Sequence, residues 1–222
     1  ILKLLRWIRL TSGIPTLSGK DDIAHMLLVK NEYADVYERT FKFLGSKDYF
    51  NLRLTGQFAA SYDSIGLFWL ADIRDIDHVH YDDSLIRRLA IDRELLPELR
   101  ASTEVLGPLL PGVARELGLP GSVPVTMGAP DHQSALVGSG AVRDFEGHCY
   151  MGTSSWLECL VPFKKTDILH SIASIPAAIP GRYQCINEQD VAGACLSFFL
   201  ENILFRPGPF SPGPLPAGAY RL

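Results

Sequence analysis

An α/β fold is expected from three features of the 222-residue sequence. The first third carries apolar residues at helical spacing between good start and stop signals. At Val123-Pro124-Val125-Thr126-Met127-Gly128 the pattern turns to a short β-rich run ending in glycine, followed by Ala129-Pro130-Asp131 and a small-residue run. Strand, tight turn and closely packed helix is the economical reading of that stretch. Farther on, His148-Cys149-Tyr150-Met151 and 156–161 flank Gly152-Thr153-Ser154-Ser155, which reads as a hairpin with glycine and hydroxyls at its tip.

The elements follow in order. The opening 1–10 alternates apolar and basic residues and reads as an amphipathic packing segment. Its basic residues interrupt the apolar run and no small-residue cleavage site follows, which argues against a signal peptide. The first residue is Ile rather than Met, so an upstream segment is expected. Asp21-Asp22 favours a helix start before 23–29. Ser46 suits an N-cap for 47–55, and Gly56 a stop. Helices also fit 83–90 and 113–117, and 94–99 should be a short helical turn, because Pro97 fits only a first turn or a break. Later, 182–186 reads as a strand and 191–204 as an apolar helix, with the natural domain boundary at 142–146. Five prolines and three glycines in 206–222 forbid regular structure, and a disordered tail is expected there.

With 21 basic and 25 acidic residues the net charge is −4, which argues against nucleic acid as the main partner. No apolar run approaches the ~20 residues needed to span a bilayer. Cys149, Cys159, Cys185 and Cys195 form no C-x-x-C pair and are expected as reduced, mostly buried thiols in a cytoplasmic protein. His78 and His80 could place two imidazoles on one side of a strand, but nothing nearby completes a metal site, and a solvated acidic loop is the preferred reading.

Two places could carry chemistry. Asp131 lies just beyond a strand end and at the mouth of a helix, where α/β sheets hold ligands. A base there can accept a hydroxyl proton, although an aspartate so placed is ordinarily an N-cap. Gly152-Thr153-Ser154-Ser155 offers bare backbone and hydroxyl donors for an anion, or is simply a hairpin tip. It lacks the Gly-Lys-Ser/Thr ending of a Walker loop. An acid, a domain break and a glycine-hydroxyl hairpin are together what a cleft enzyme needs, one lobe for an acceptor hydroxyl and the other for a polyphosphate.

Six motifs then occur in an informative order: Lys47-Asp48-Tyr49, Arg53-Leu54-Thr55-Gly56, Leu95-Leu96-Pro97-Glu98-Leu99, Leu106-Gly107-Pro108-Leu109, Gly128-Ala129-Pro130-Asp131 and Gly152-Thr153-Ser154. From about Leu4 to Phe205 the chain resembles the FGGY carbohydrate kinases, and within them the xylulokinase-like members. The resemblance implies an actin-like, ribonuclease-H-like ATPase fold with two lobes around a cleft. It implies transfer of the γ-phosphoryl of ATP, with Mg2+, to a sugar or polyol hydroxyl. Asp131 matches the general base and His132 a substrate contact, while Gly152, Thr153 and Ser154 match the loop touching the nucleotide phosphates. Pro15-Thr16-Leu17-Ser18-Gly19-Lys20 resembles a segment bordering the sugar pocket, with Thr16 either the contact or a turn residue.

The same resemblance divides the chain into 1–142, the rear of the sugar-binding domain; 143–205, the start of the nucleotide-binding domain; and the tail, 206–222. Family members are about twice this long, so the fold is expected to be incomplete at both ends, inactive and poorly soluble alone. The family's tryptophan near Leu28 is replaced by Leu27-Leu28-Val29. A pentulose such as D-xylulose is the expected substrate, with glycerol, gluconate or ribulose as alternatives. A non-catalytic scaffold of the same superfold is the competing class. Neither nucleic acid nor a membrane is expected as a partner, and a homodimer of the complete enzyme is left open.

Overall fold

The computed structural model describes residues 2–189 and 191–218. The amphipathic start forms α1 (Leu2–Thr11), which buries Leu10 and Thr11 and leaves Leu2, Leu4 and Leu5 exposed. Trp7 Nε1 donates to the Trp69 carbonyl at 2.8 Å and fastens the helix; Ile1 lies outside the described residues. Then follow α2 (Asp22–Glu32), α3 (Ala34–Arg39) and α4 (Ser46–Thr55). Asp21 is the N-cap residue of α2, as the carboxylate pair suggested. Gly45, not Ser46, caps α4; Ser46 is already helical and its side chain makes no cap bond. Gly56 closes α4 in the left-handed region at φ 78°.

The stretch that follows holds short strands which the sequence did not signal: β1 (Ala59–Ser61), β2 (Ala71–Asp72), β3 (His80–Tyr81), β4 (Glu98–Arg100) and β5 (Val105–Pro108). Between β3 and β4 lies α5 (Asp83–Leu89), capped by Asp82, which accepts from the Ser84 and Leu85 amides. The expected helical turn at 94–99 is a 3-10 turn over Arg93–Leu95; past Pro97 the chain extends as β4, paired parallel to β1. His78 ends a 3-10 turn capped by Asp75, while His80 opens β3, so the two imidazoles do not share a strand. Helix α6 (Pro111–Leu117) begins on proline, and β6 (Pro124–Thr126) pairs antiparallel with β5. The main core joins α1, α2, β1 to β3 and α5 through Leu10, Ile23, Met26, Phe68, Leu70 and Ile86.

After β6 comes α7 (Asp131–Gly138), and beyond it a four-stranded antiparallel sheet. Its strands are β7 (Gly147–Met151), β8 (Ser155–Val161), β9 (Ile172–Pro176) and β10 (Tyr183–Gln189), in the order β7-β8-β10-β9. The segment 142–146 lies between α7 and β7, and Arg182 Nε pins it through Asp144 Oδ1 at 2.6 Å. A small core of Leu136, Ala141 and Leu160 seats α7 on this sheet. Tyr183 Oη reaches back to the Ile73 carbonyl at 2.9 Å. The last helix, α8 (Gly193–Phe199), runs into a π-helical turn over Leu200–Leu204. Residues 206–218 contain no helix or strand, and 219–222 of the expected tail lie outside the described residues. No helix among the described residues is long and apolar enough to cross a membrane. The cysteines are free, but none is fully buried: Cys149 and Cys195 are exposed, and Cys159 and Cys185 face each other half-buried across β8 and β10.

Candidate active site

The turn that presents Asp131 is held from behind. Met127, 1% exposed, donates its amide to the Glu104 carbonyl at 2.8 Å, and Gly128 N–H reaches the Ser102 carbonyl at 2.9 Å. From α4, Asn51 Nδ2 donates to the Met127 carbonyl at 2.7 Å and Lys47 Nζ does so at 3.2 Å. These two residues stand four apart on one helix face. Gly128 then takes φ +70°, a left-handed conformation that suits glycine, and the chain enters α7. Pro130, rather than Asp131, is the N-cap residue. Asp131 is therefore free of the ordinary capping duty: it is exposed, and among the described residues its Oδ1 accepts only the amide of His132 at 2.8 Å.

The next two residues of α7 engage the four-stranded sheet. Gln133 is fully buried; its Nε2 donates to the Pro176 carbonyl at 3.0 Å, and its Oε1 accepts the Ala178 amide at 3.0 Å. His132 Nδ1 lies 2.9 Å from Gln184 Oε1 on β10. Gln184 Nε2 in turn donates to Glu158 on β8. Burial pushes the Glu158 carboxyl up to about 7; the Gln184 bond pulls against this, and the charge of Asp131 adds to it. Neither Glu158 nor the three buttressing amides of Asn51, Gln133 and Gln184 was singled out from the sequence.

The hairpin tip is the β7–β8 turn, as expected. Gly152 N–H donates to the Ser154 carbonyl at 2.8 Å, and the Tyr150 and Trp156 rings stack at 3.9 Å beneath it. A β-carbon on Gly152 would lie 2.5 Å from Tyr150 Oη, so any larger residue there would have to push the Tyr150 ring aside. The Gly152 and Thr153 carbonyls accept the amides of Gly193 and Ala192 at 2.8 Å, docking the tip on the start of α8. Among the described residues, the amides and hydroxyls of Thr153 and Ser154 make no hydrogen bond, leaving four donors at the turn. Three residues of β8 separate this turn from Glu158, on the order of 10 Å.

Thr16 belongs to a different local structure. Its amide and hydroxyl both donate to Asp21 Oδ2 at 2.6 Å, and Ser18 Oγ lies 2.8 Å from the same hydroxyl. Asp21 is 1% exposed, and Trp69 Nε1 donates to its other oxygen at 2.9 Å. Burial raises this carboxyl, but the Thr16 and Trp69 bonds and the Lys20 charge outweigh it and hold the group below the usual range.

Comparison with known proteins gives these features a setting. The profile described as "FGGY family of carbohydrate kinases, N-terminal domain" matches residues 12–138. The xylulose kinase of Escherichia coli K12 is 28% identical over 174 residues, covering 78% of this chain and 35% of that protein. The L-fuculokinase of the same strain is 31% identical over 133 residues, or 60% of this chain and 27% of its own length. Among solved structures, the ligand-bound xylulose kinase from Lactobacillus acidophilus superposes with a TM-score of 0.78 at 23% identity. That superposition covers 90% of this chain and 39% of the kinase. The architecture is thus the α/β, actin-like ATPase fold in part, and the chain spans about a third of the length of the curated relatives it matches.

Proposed function

The chain belongs to the FGGY family of carbohydrate kinases, and from that premise we propose that it supplies the acceptor-activating acid and the front of the nucleotide site of an ATP-dependent sugar phosphotransferase. In this reading 1–142 is the rear of the sugar-binding domain and 143–205 the start of the nucleotide-binding domain. The observation that carries it is Asp131: exposed, relieved of capping by Pro130, and set on a turn fixed by Lys47 and Asn51.

Phosphoryl transfer passes through a loose transition state, so the protein's task is positioning and charge neutralisation. Asp131 orients the acceptor hydroxyl and takes its proton, a contribution of ~10²–10⁴-fold. His132 contacts a neighbouring hydroxyl. The amides and hydroxyls of Thr153 and Ser154, with the bare backbone of Gly152, form a donor set that fits phosphate oxygens. When bound, ATP supplies the transferable phosphoryl group, and Mg2+ arrives with its phosphates, the usual mode in kinase sites. The turn that holds Thr16 borders the sugar pocket.

A pentulose such as D-xylulose is the proposed acceptor, supported by the xylulose kinase matches. The L-fuculokinase match keeps a wider ketose panel in view. The setting is cytoplasmic. The test is ADP release from the full-length protein against ketoses and polyols, with Asp131→Asn beside it. Turnover with one ketose, falling about 10²-fold or more in the variant while sugar binding persists, is the expected outcome. Turnover within tenfold of the parent would remove Asp131 from the role.

A further inference from the structure

The deepest carboxyl of the four-stranded sheet has no part in the chemistry described so far. Glu158 sits mid-way along β8, 2% exposed, opposite His148 on β7 and Ile186 on β10. One of its oxygens accepts from Gln184; among the described residues Oε1 has no partner in good hydrogen-bond geometry, although the Trp156 indole lies near enough to favour the charged form. His148 Nε2, also without a hydrogen bond among the described residues, stands 3.8 Å from that oxygen, too far for a hydrogen bond. Gln184 is fully buried, so its amide cannot turn to water and must satisfy its two protein neighbours.

An ionised carboxylate only accepts. The NH2 of Gln184 therefore faces Glu158, its Oε1 faces His132, and His132 must donate from Nδ1. The other nitrogen of a neutral His132 is then an acceptor. It has no hydrogen-bond partner among the described residues, and it lies one residue from Asp131.

We infer that Glu158 is a positioning residue that acts through Gln184 to hold His132 in the Nδ1–H form, so that Nε2 accepts a hydrogen bond from a hydroxyl of the sugar at Asp131. The sugar rests on the phosphotransferase reading; the relay does not. Uptake of one solvent proton by Glu158 reverses the chain. The acid O–H then donates to Gln184 Oε1, the amide turns over, its NH2 faces His132 Nδ1, and the open ring nitrogen becomes a donor. The groups facing Glu158 are His148 from β7, Trp156 on its own strand, Gln184 from β10 and the charge of Asp131 from α7, with His132 reaching it through Gln184. With burial holding the carboxyl near 7, the reversal falls in the neutral range.

Two readouts test the relay in the full-length protein. In protein labelled with 15N-histidine, long-range 15N–1H correlation above about pH 8 reports each tautomer, and the signal lost in His132→Gln assigns His132. Nδ1–H is expected in the parent, with Nε2–H becoming the majority in Gln184→Met and a mixture in Glu158→Gln. Nε2–H in the parent, or Nδ1–H unchanged in both variants, overturns the inference, and this readout needs no sugar or nucleotide. The second readout is KM for D-xylulose at saturating ATP. It should rise roughly three- to tenfold in both variants, more than kcat falls, and lose its dependence on pH near neutrality. A rise in Glu158→Gln alone would mean that charge acts through space rather than through Gln184, and would sink the relay. Absence of turnover with every sugar in the parent would count against the phosphotransferase reading, while the tautomer result would still decide the relay.

Discussion

Replacing Glu158 by glutamine should alter stability in a pH-dependent way whose sign follows from burial. The side chain is fully enclosed, and burial, aided by the Asp131 charge, moves its carboxyl from 4.5 to about 7 despite the Gln184 bond. Below the lower value the group is protonated in both folded and unfolded chains. Between the two values the unfolded chain releases its proton while the folded chain keeps it. The folded state therefore loses stability as pH rises through this window, and the loss is complete just above pH 7. At ~1.4 kcal/mol per pH unit the full loss is roughly 3 kcal/mol. Glutamine keeps the shape and abolishes the slope. The gap in Tm, variant minus parent, should thus widen from about pH 4.5 and level off above about pH 7. At ~2–4 °C per kcal/mol for a unit of this size, the widening is at most about 6–12 °C. Reversible thermal melts followed by circular dichroism between about pH 4 and 8.5 read it directly. A gap that stays constant, or narrows as pH rises, would refute the reasoning.

Three further substitutions probe the supports of the site. Asn51→Leu removes the 2.7 Å bond to the Met127 carbonyl and should cost ~1–3 kcal/mol in urea melts; a loss under about 0.5 kcal/mol would show that the turn stands without it. Gln133→Ala strands the Pro176 carbonyl and the Ala178 amide, so about 2–4 kcal/mol should disappear, and native-state hydrogen exchange should quicken in the turn after β9. In Gly193→Ala the new β-carbon meets the Gly152 carbonyl oxygen, a backbone atom that cannot step aside alone. Calorimetry should find ATP-analogue affinity about tenfold weaker, whereas Gly112→Ala in α6, where the added carbon meets open space, should leave it unchanged. Equal affinity in the two would argue that the tip does not touch nucleotide.

What could be read from the sequence was local. Asp21, Gly56 and Gly128 announce helix starts, stops and turns through their own backbone preferences, and α2, α4 and the strand-turn-helix before Asp131 follow. The strands β1 and β4 carry no such mark. Ala59-Ala60-Ser61 has little β-propensity, and its partner Glu98-Leu99-Arg100 lies almost forty residues on, so only tertiary packing creates the pair. The capping error at Ser46 is a one-residue slip of the kind that helix ends invite. The cysteines were misplaced because apolar preference was read without register; Cys159 and Cys185 share the less covered face of their strands. Asp131 and the Gly152 tip stood out because glycines frame them. Glu158 did leave a trace. With a period of two it shares a face with Trp156 and Leu160, and Leu160 is fully buried, so a carboxyl between them had to be buried or functional. Gln184 and Gln133 left none, since an amide's role depends on the partners that the fold brings to it.

The first turn of α7 shows why the acid can stay open while its position is fixed. Successive residues on a helix point about 100° apart, so Asp131, His132 and Gln133 are aimed in three directions. Gln133 is closed inside the small core by two bonds to backbone, and His132 is half-buried against Gln184. Both hold the helix from the sheet side, while Asn51 and Lys47 hold the preceding turn from α4. Asp131 takes part in none of these contacts, so its exposed carboxylate is positioned by bonds on its neighbours. The bond it does make, from the His132 amide to Oδ1, leaves Oδ2 open to a hydroxyl. Held through residues 132 and 133, the carboxylate is set beforehand, which is the preorganisation that the proposed role as proton acceptor requires.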